Sequence, residues 1–185
     1  MSDHIRKLNS RLRALKSQAP TAPWKRVAAH AVGGLTEIGY AEDSDWLLVV
    51  SSQGRGLFDC LSGERTARDY AEPAGDIDWY DEISLVARGI GVIESQLVHL
   101  AGLHGGGLPR FTRYGWGLEL VAPDWPLTSV ILSPPHQTVL IESHSEGCVK
   151  VAEDSELRAC GFSDTGRSFV VAISHTVEIY TRPAA

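Results

Sequence analysis

The sequence of 185 residues predicts a mainly β domain with repeated strand units and one N-terminal helix. Three observations predict this class. An amphipathic stripe opens the chain, short apolar runs bounded by turn residues follow it, and an internal repeat relates those runs to one another. The composition, 43% hydrophobic and 22% charged, is that of an ordinary globular protein, and the length fits a single domain.

The first 19 residues predict a basic amphipathic helix. Its apolar residues recur at spacings of three, four and three, which places them on one stripe: Ile5, Leu8, Leu12 and Leu15. Pro20 and Pro23 end the helix and form a short linker to a single β domain over residues 24–185. The stripe either packs on that domain or serves as a docking arm for a partner.

Strand signals dominate the β domain. Residues 46–51, 128–133 and 168–173 are short apolar runs flanked by turn residues, as expected for buried strands. Residues 35–60 align without a gap with residues 157–182 at an offset of 122, and their apolar positions agree through three successive strands. This offset is close to three times 41, which predicts units near 35–69, 76–111, 117–151 and 157–182.

The end of the last unit predicts how the domain closes. That unit ends at the point where its outermost strand would begin, so this strand is missing from it. A strand-like segment at residues 24–32 precedes the first unit. We expect residues 24–32 to pair beside residues 176–181 and to cover an edge that would otherwise invite aggregation.

Two segments carry a family resemblance. They are Leu35-Thr-Glu-Ile-Gly-Tyr-Ala with the following Trp46-Leu-Leu-Val-Val-Ser, and Gly161-Phe-Ser-Asp-Thr-Gly-Arg-Ser-Phe-Val-Val-Ala. With a period near 40 residues, they resemble blades of WD40-type β-propellers over residues 35–69 and 157–182. The resemblance implies a small propeller-like body of about four blade-like antiparallel units, whose loops bind another protein. A distorted β-sandwich is the alternative architecture.

Charge and composition exclude several classes of protein. The net charge is −6, and the residues after position 26 carry ten basic and 22 acidic side chains, so nucleic acid is not expected as a partner. No apolar run approaches the ~18 residues of a membrane span, so no membrane partner is expected. The three cysteines, without CxxC spacing, predict free thiols and a cytoplasmic location.

Two motifs point to enzymatic alternatives. His104-Gly-Gly-Gly is similar to the oxyanion-hole motif of lipase-type hydrolases. The Gly-x-Ser-x-Gly elbow that carries the nucleophile of that class is missing from the sequence. We therefore expect that replacing His104 with Ala leaves the protein folded and its role intact. The acidic segment 72–82 would suit a metal-dependent enzyme, although its spacing departs from known calcium loops. Its acids are Glu72, Asp76, Asp78, Asp81 and Glu82.

An Arg- and aromatic-rich stretch favours binding over catalysis. Arg, Tyr and Trp are enriched at protein interfaces, and the candidate binding residues are Arg110, Arg113, Tyr114, Trp116, Trp125 and His104. The sequence therefore predicts a non-catalytic protein-binding module without cofactor or metal. Its partner is another protein, with a homodimer left open. A hydrolase and an acidic immunity-type inhibitor are the alternative functions.

Overall fold

The computed structural model describes residues 3–70 and 79–184. Within these residues the chain forms one α-helix and fifteen strands arranged in four antiparallel sheets, so the predicted mainly β class is confirmed. None of the described residues forms a helix long and apolar enough to cross a lipid bilayer.

The helix α1 spans Asp3–Ala14. The strands, in chain order, are β1 Lys25–Ala31, β2 Leu35–Tyr40, β3 Trp46–Ser51, β4 Gly54–Asp59, β5 Glu64–Asp69, β6 Tyr80–Asp81, β7 Val86–Arg88, β8 Leu97–His99, β9 Ala101–Gly102, β10 Gly117–Asp124, β11 Leu127–Ser133, β12 Val149–Asp154, β13 Leu157–Phe162, β14 Ser168–Ile173 and β15 Thr176–Thr181. Single 3-10 turns lie at Gly91–Ile93 and Glu142–His144.

The internal repeat corresponds to two similar sheets. One has the strand order β5-β4-β3-β2-β9, and the other has the order β1-β15-β14-β13. Strands β2, β3 and β4 begin and end 122 residues before β13, β14 and β15, respectively. A shift in strand register between Leu35 and Glu37 recurs between Leu157 and Ala159, at the same offset. The two copies therefore share their irregularities as well as their strands.

Strand β1 takes the place in the second sheet that β5 has in the first. The β4–β5 pairing shifts register between Leu57 and Phe58, and the β15–β1 pairing shifts at the equivalent residues Ile179 and Tyr180. The pairing predicted for residues 24–32 with β15 is thus confirmed. Strand β1, which precedes the first copy of the repeat in the chain, therefore completes the sheet of the second copy.

Steric crowding explains why both copies of the repeat have a glycine at the same position. A Cβ atom on Gly39 of β2 would collide with the carbonyl of His99, and one on Gly161 of β13 would collide with the side chain of Leu108. In both sheets another segment of chain lies directly against this strand, which leaves no room for a side chain.

The helix α1 packs on the third sheet, which has the order β10-β11-β12. Leu12 is buried against Ile131, Val139 and Cys148. The helix ends at Ala14, earlier than the predicted segment of 19 residues, because the chain that follows pairs with β12: the N–H of residue 18 donates to the carbonyl of residue 150. The fourth sheet, β6-β7-β8, consists of strands of only two or three residues.

Candidate functional site

Two consecutive loops between β9 and β10 hold most of the predicted site residues. The glycine-rich loop, residues 104–107, begins with His104, and the aromatic loop, residues 109–116, leads into β10. Trp125 lies at the opposite end of β10. This strand has eight residues, which at ~3.3 Å per residue places Trp125 about 25 Å from the aromatic loop. Trp125 is therefore not part of the same local cluster.

His104 is held between two carboxylates. Its Nδ1 atom lies 2.5 Å from Oε1 of Glu37 and 3.2 Å from the hydroxyl of Tyr80, and its Nε2 atom lies 3.2 Å from Oε1 of Glu82. Glu37 is completely buried on β2. Its second oxygen, Oε2, has no hydrogen-bond partner among the described residues.

Among the residues that the structure describes, His104 forms no triad with a nucleophile and a carboxylate. In a catalytic triad one imidazole nitrogen faces a carboxylate and the other faces the nucleophile. Here the second nitrogen faces Glu82, and no Ser, Thr or Cys side chain bonds to His104 among residues 3–70 and 79–184. Burial, together with the charges of Glu37 and Glu82, raises the pKa of Tyr80, which keeps that hydroxyl protonated.

The acidic segment is engaged within the protein where the structure describes it. Asp81 accepts hydrogen bonds from Ser84 and from the N–H of Ile83, which lower its pKa, and Glu82 pairs with His104. Three of the predicted acids lie outside the described residues: Glu72, Asp76 and Asp78. The described part of the chain contains no group of three His, Cys, Asp or Glu side chains arranged to hold a metal ion.

The aromatic loop is a fixed structure. The Oγ1 atom of Thr112 accepts the N–H groups of Tyr114 (3.3 Å) and Trp116 (3.1 Å), and the N–H of Thr112 donates to the carbonyl of Trp116 (2.9 Å). The Trp116 ring packs edge-on against Trp24, 5.9 Å between centroids, in the hydrophobic core. Trp116 therefore anchors the loop, and its ring faces the interior.

The outer face of the aromatic loop carries exposed rings. Phe111 is 70% exposed and Tyr114 is 39% exposed. The guanidinium of Arg182 lies 4.4 Å from the centre of the Tyr114 ring, and that of Arg113 lies 5.0 Å from it. Arg182 is itself fixed, because its Nε donates to the carbonyl of Gly166 at 2.7 Å. Tyr114 is thus held in place while part of its ring remains accessible.

A cavity of about 280 Å³ lies beside the glycine-rich loop. Residues of β9, β10, β11 and β13 line it, so three of the four sheets meet there. Two arginines also line it, Arg110 from the aromatic loop and Arg158 from β13. The Nε of Arg158 donates to the carbonyl of Leu35, 3.3 Å away. We call this cavity the arginine pocket.

Sequence reasoning missed Glu37 and Arg158. Each lies within a strand of the repeat, where its counterpart at the offset of 122 is uncharged: Ala159 for Glu37 and Thr36 for Arg158. A charged side chain that replaces an uncharged one inside a repeated strand was the signal that could have identified both residues.

Comparison with known proteins adds no assignment. No protein-family model matches the chain. A search of curated proteins also finds no significant match.

All three cysteines are expected to be unreactive in the folded protein. Cys60, Cys148 and Cys160 are buried free thiols, and burial raises the pKa of each, that of Cys160 to about 11. At pH 8 only about 0.1% of Cys160 would then be thiolate, the reactive form. Iodoacetamide at pH 8 should label none of them within an hour, whereas all three should react in 6 M guanidinium. Rapid labelling of one thiol in the native protein would contradict this expectation and would identify that cysteine as a candidate nucleophile.

Proposed function

We propose that the protein is a non-catalytic binding protein and that the aromatic loop takes a protein partner. The observation that carries this proposal is the exposed ring of Phe111 on a loop whose backbone is fixed. Binding energy at protein interfaces concentrates in a few aromatic and Arg anchors. Tyr114 and Arg113, beside Phe111, are side chains of that kind.

Preorganisation of the loop supports the proposal. The N–H of Phe162 donates to the carbonyl of Pro109 (2.8 Å), and the N–H of Leu118 donates to the carbonyl of Arg110 (2.9 Å). Together with the Thr112 hydrogen bonds, these contacts tie the loop to β13 and β10. A loop that is already ordered loses little conformational entropy on binding, so more of the contact energy remains as affinity.

A propeller-like body of about four units, closed by β1, belongs to the same proposal. The matching strand bounds and register shifts of the two repeat sheets, and the completion of the second by β1, support it. In such a body the loops between units are the natural binding surface. We also propose a reducing, cytoplasmic location, which suits three unpaired cysteines.

The proposal predicts that Phe111→Ser weakens partner binding with little effect on stability. Loss of an anchor side chain costs more than ~2 kcal/mol of binding free energy, which is about 30-fold in affinity. An exposed side chain contributes little to the stability of the fold. Leu97→Ser is the matched control, because Leu97 is 68% exposed on β8, in a different sheet. The measurement is quantitative affinity purification from the source cell with the wild type and both variants.

We expect a partner that is retained by the wild type and by Leu97→Ser and is depleted with Phe111→Ser. Light scattering of the purified protein distinguishes a second copy of the chain from a different partner. If every protein retained by the wild type were retained equally by Phe111→Ser, the aromatic loop would not be the binding surface.

A further inference from the structure

We propose that the arginine pocket is a binding site for a small oxyanion, the carboxylate or phosphate group of a ligand. This inference concerns the cavity beside the glycine-rich loop and does not depend on the identity of a protein partner. Three properties of the pocket carry it: its unpaired positive charge, the orientation of its donors and its size.

The charge of the pocket is positive within an acidic protein. Arg110 and Arg158 line it, and its lining includes no Asp or Glu side chain. Neither arginine forms an ion pair with a carboxylate in the described part of the chain. The charge of Arg110 also extends to the cavity wall, where it opposes the rise that burial causes in the pKa of Cys160. Two uncompensated guanidinium groups in a concave site attract an anion.

The guanidinium of Arg158 is oriented by the fold, and the Arg110 side chain extends from a fixed backbone position. The hydrogen bond from Nε of Arg158 to the carbonyl of Leu35 fixes one edge of that guanidinium and leaves its two Nη groups available. The Arg110 backbone is held by the N–H of Leu118. A guanidinium presents planar, paired N–H donors that match the two oxygens of a carboxylate or phosphate group.

The glycine-rich loop contributes backbone to the wall of the pocket. No acceptor in residues 3–70 or 79–184 is assigned to the N–H groups of Gly106 and Gly107. Gly106 has a φ of 77°, and a Cβ atom there would collide with the carbonyl of Leu100, so only glycine fits. Main-chain N–H groups in glycine-rich loops are donors to anions elsewhere.

The size of the pocket limits the ligand. Its volume of about 280 Å³ is at the lower limit of small-molecule sites, which typically measure ~300–1,000 Å³. The pocket therefore accommodates one oxyanion group and a few attached atoms. The remainder of a larger ligand would extend out of it.

The test is thermal unfolding of the full chain in the presence of two probes, inorganic phosphate and glutarate, with sodium chloride at equal ionic strength as the reference. We expect a saturable rise in melting temperature, by about 3 °C at ten times the dissociation constant. A response to phosphate alone would indicate a phosphate group as the natural ligand. A response to glutarate would indicate a carboxylate. Either response supports the site.

Substitutions assign the response to the pocket. Arg110→Gln and Arg158→Gln should each weaken binding at least tenfold, whereas Arg65→Gln, an exposed arginine of β5 outside the pocket lining, should not change it. If Arg158→Gln fails to fold because it loses the contact with Leu35, the response of Arg110→Gln alone decides whether the probes bind in the pocket. The proposal is wrong if neither probe gives a saturable shift beyond chloride, or if Arg110→Gln responds like the wild type.

Discussion

Deletion of residues 1–32 will convert the protein into insoluble or dimeric material. The deletion removes β1 and thereby exposes the backbone of β15, Thr176–Thr181, as an unpaired sheet edge. It also removes Trp24, which is buried between Trp116 and Phe169 in the aromatic core. Loss of a buried Trp alone costs roughly 3–5 kcal/mol, a large share of the stability of a domain of this size. Light scattering of the soluble fraction measures the outcome.

Deletion of residues 1–18 is the matched control. It removes α1 and the buried side chain of Leu12 but leaves β1 paired with β15. Burial of one Leu contributes roughly 1.5–3 kcal/mol, so we expect a soluble monomer with a lower melting temperature. A soluble monomer with unchanged melting temperature from the longer deletion would mean that β1 does not complete the second repeat sheet.

Replacement of His104 with Ala will destabilise the protein, although the fold will still form. The substitution leaves the carboxylate of Glu37 buried without its imidazole partner. Leaving a buried hydrogen-bonding group without its partner costs roughly 1–3 kcal/mol, more for a carboxylate, and we expect about 2–3 kcal/mol because the His104 side chain is 33% exposed and water replaces part of the contact. Chemical denaturation of the wild type and the variant gives the free energy of unfolding.

A second substitution separates this cause from simple loss of packing. In the double variant His104→Ala/Glu37→Gln the buried group is neutral, so part of the lost stability should return. Equal stability of the two variants, or a single variant within about 0.5 kcal/mol of the wild type, would contradict the role assigned to the pair.

The strands of the two repeat sheets could be predicted because their signal is strong. The runs at residues 46–51 and 168–173 match the observed bounds of β3 and β14, since both strands are buried and flanked by turn residues. Residues 76–111 gave no comparable signal. Where they are described, their strands β6 to β9 have only two or three residues, too few to show an alternating pattern.

The candidate site was predicted less well than the fold. Trp116 and Trp125 are nine positions apart in sequence, but one ring packs in the core and the other is 83% exposed at the far end of β10. Glu37 and His104 are far apart in sequence and meet because β9 pairs with β2. Long-range pairing of this kind is invisible to local patterns. The only sequence feature that indicated a special role for Glu37 was its charge within a repeated strand.

Photo-crosslinking in the source cell tests the central claim most directly. A benzophenone amino acid placed at position 111 lies on the proposed binding surface, and the same group at position 97 lies on another sheet. The proposed function predicts one dominant protein crosslinked from position 111 and absent from position 97. The same crosslinks from both positions, or none from position 111, would contradict binding through the aromatic loop.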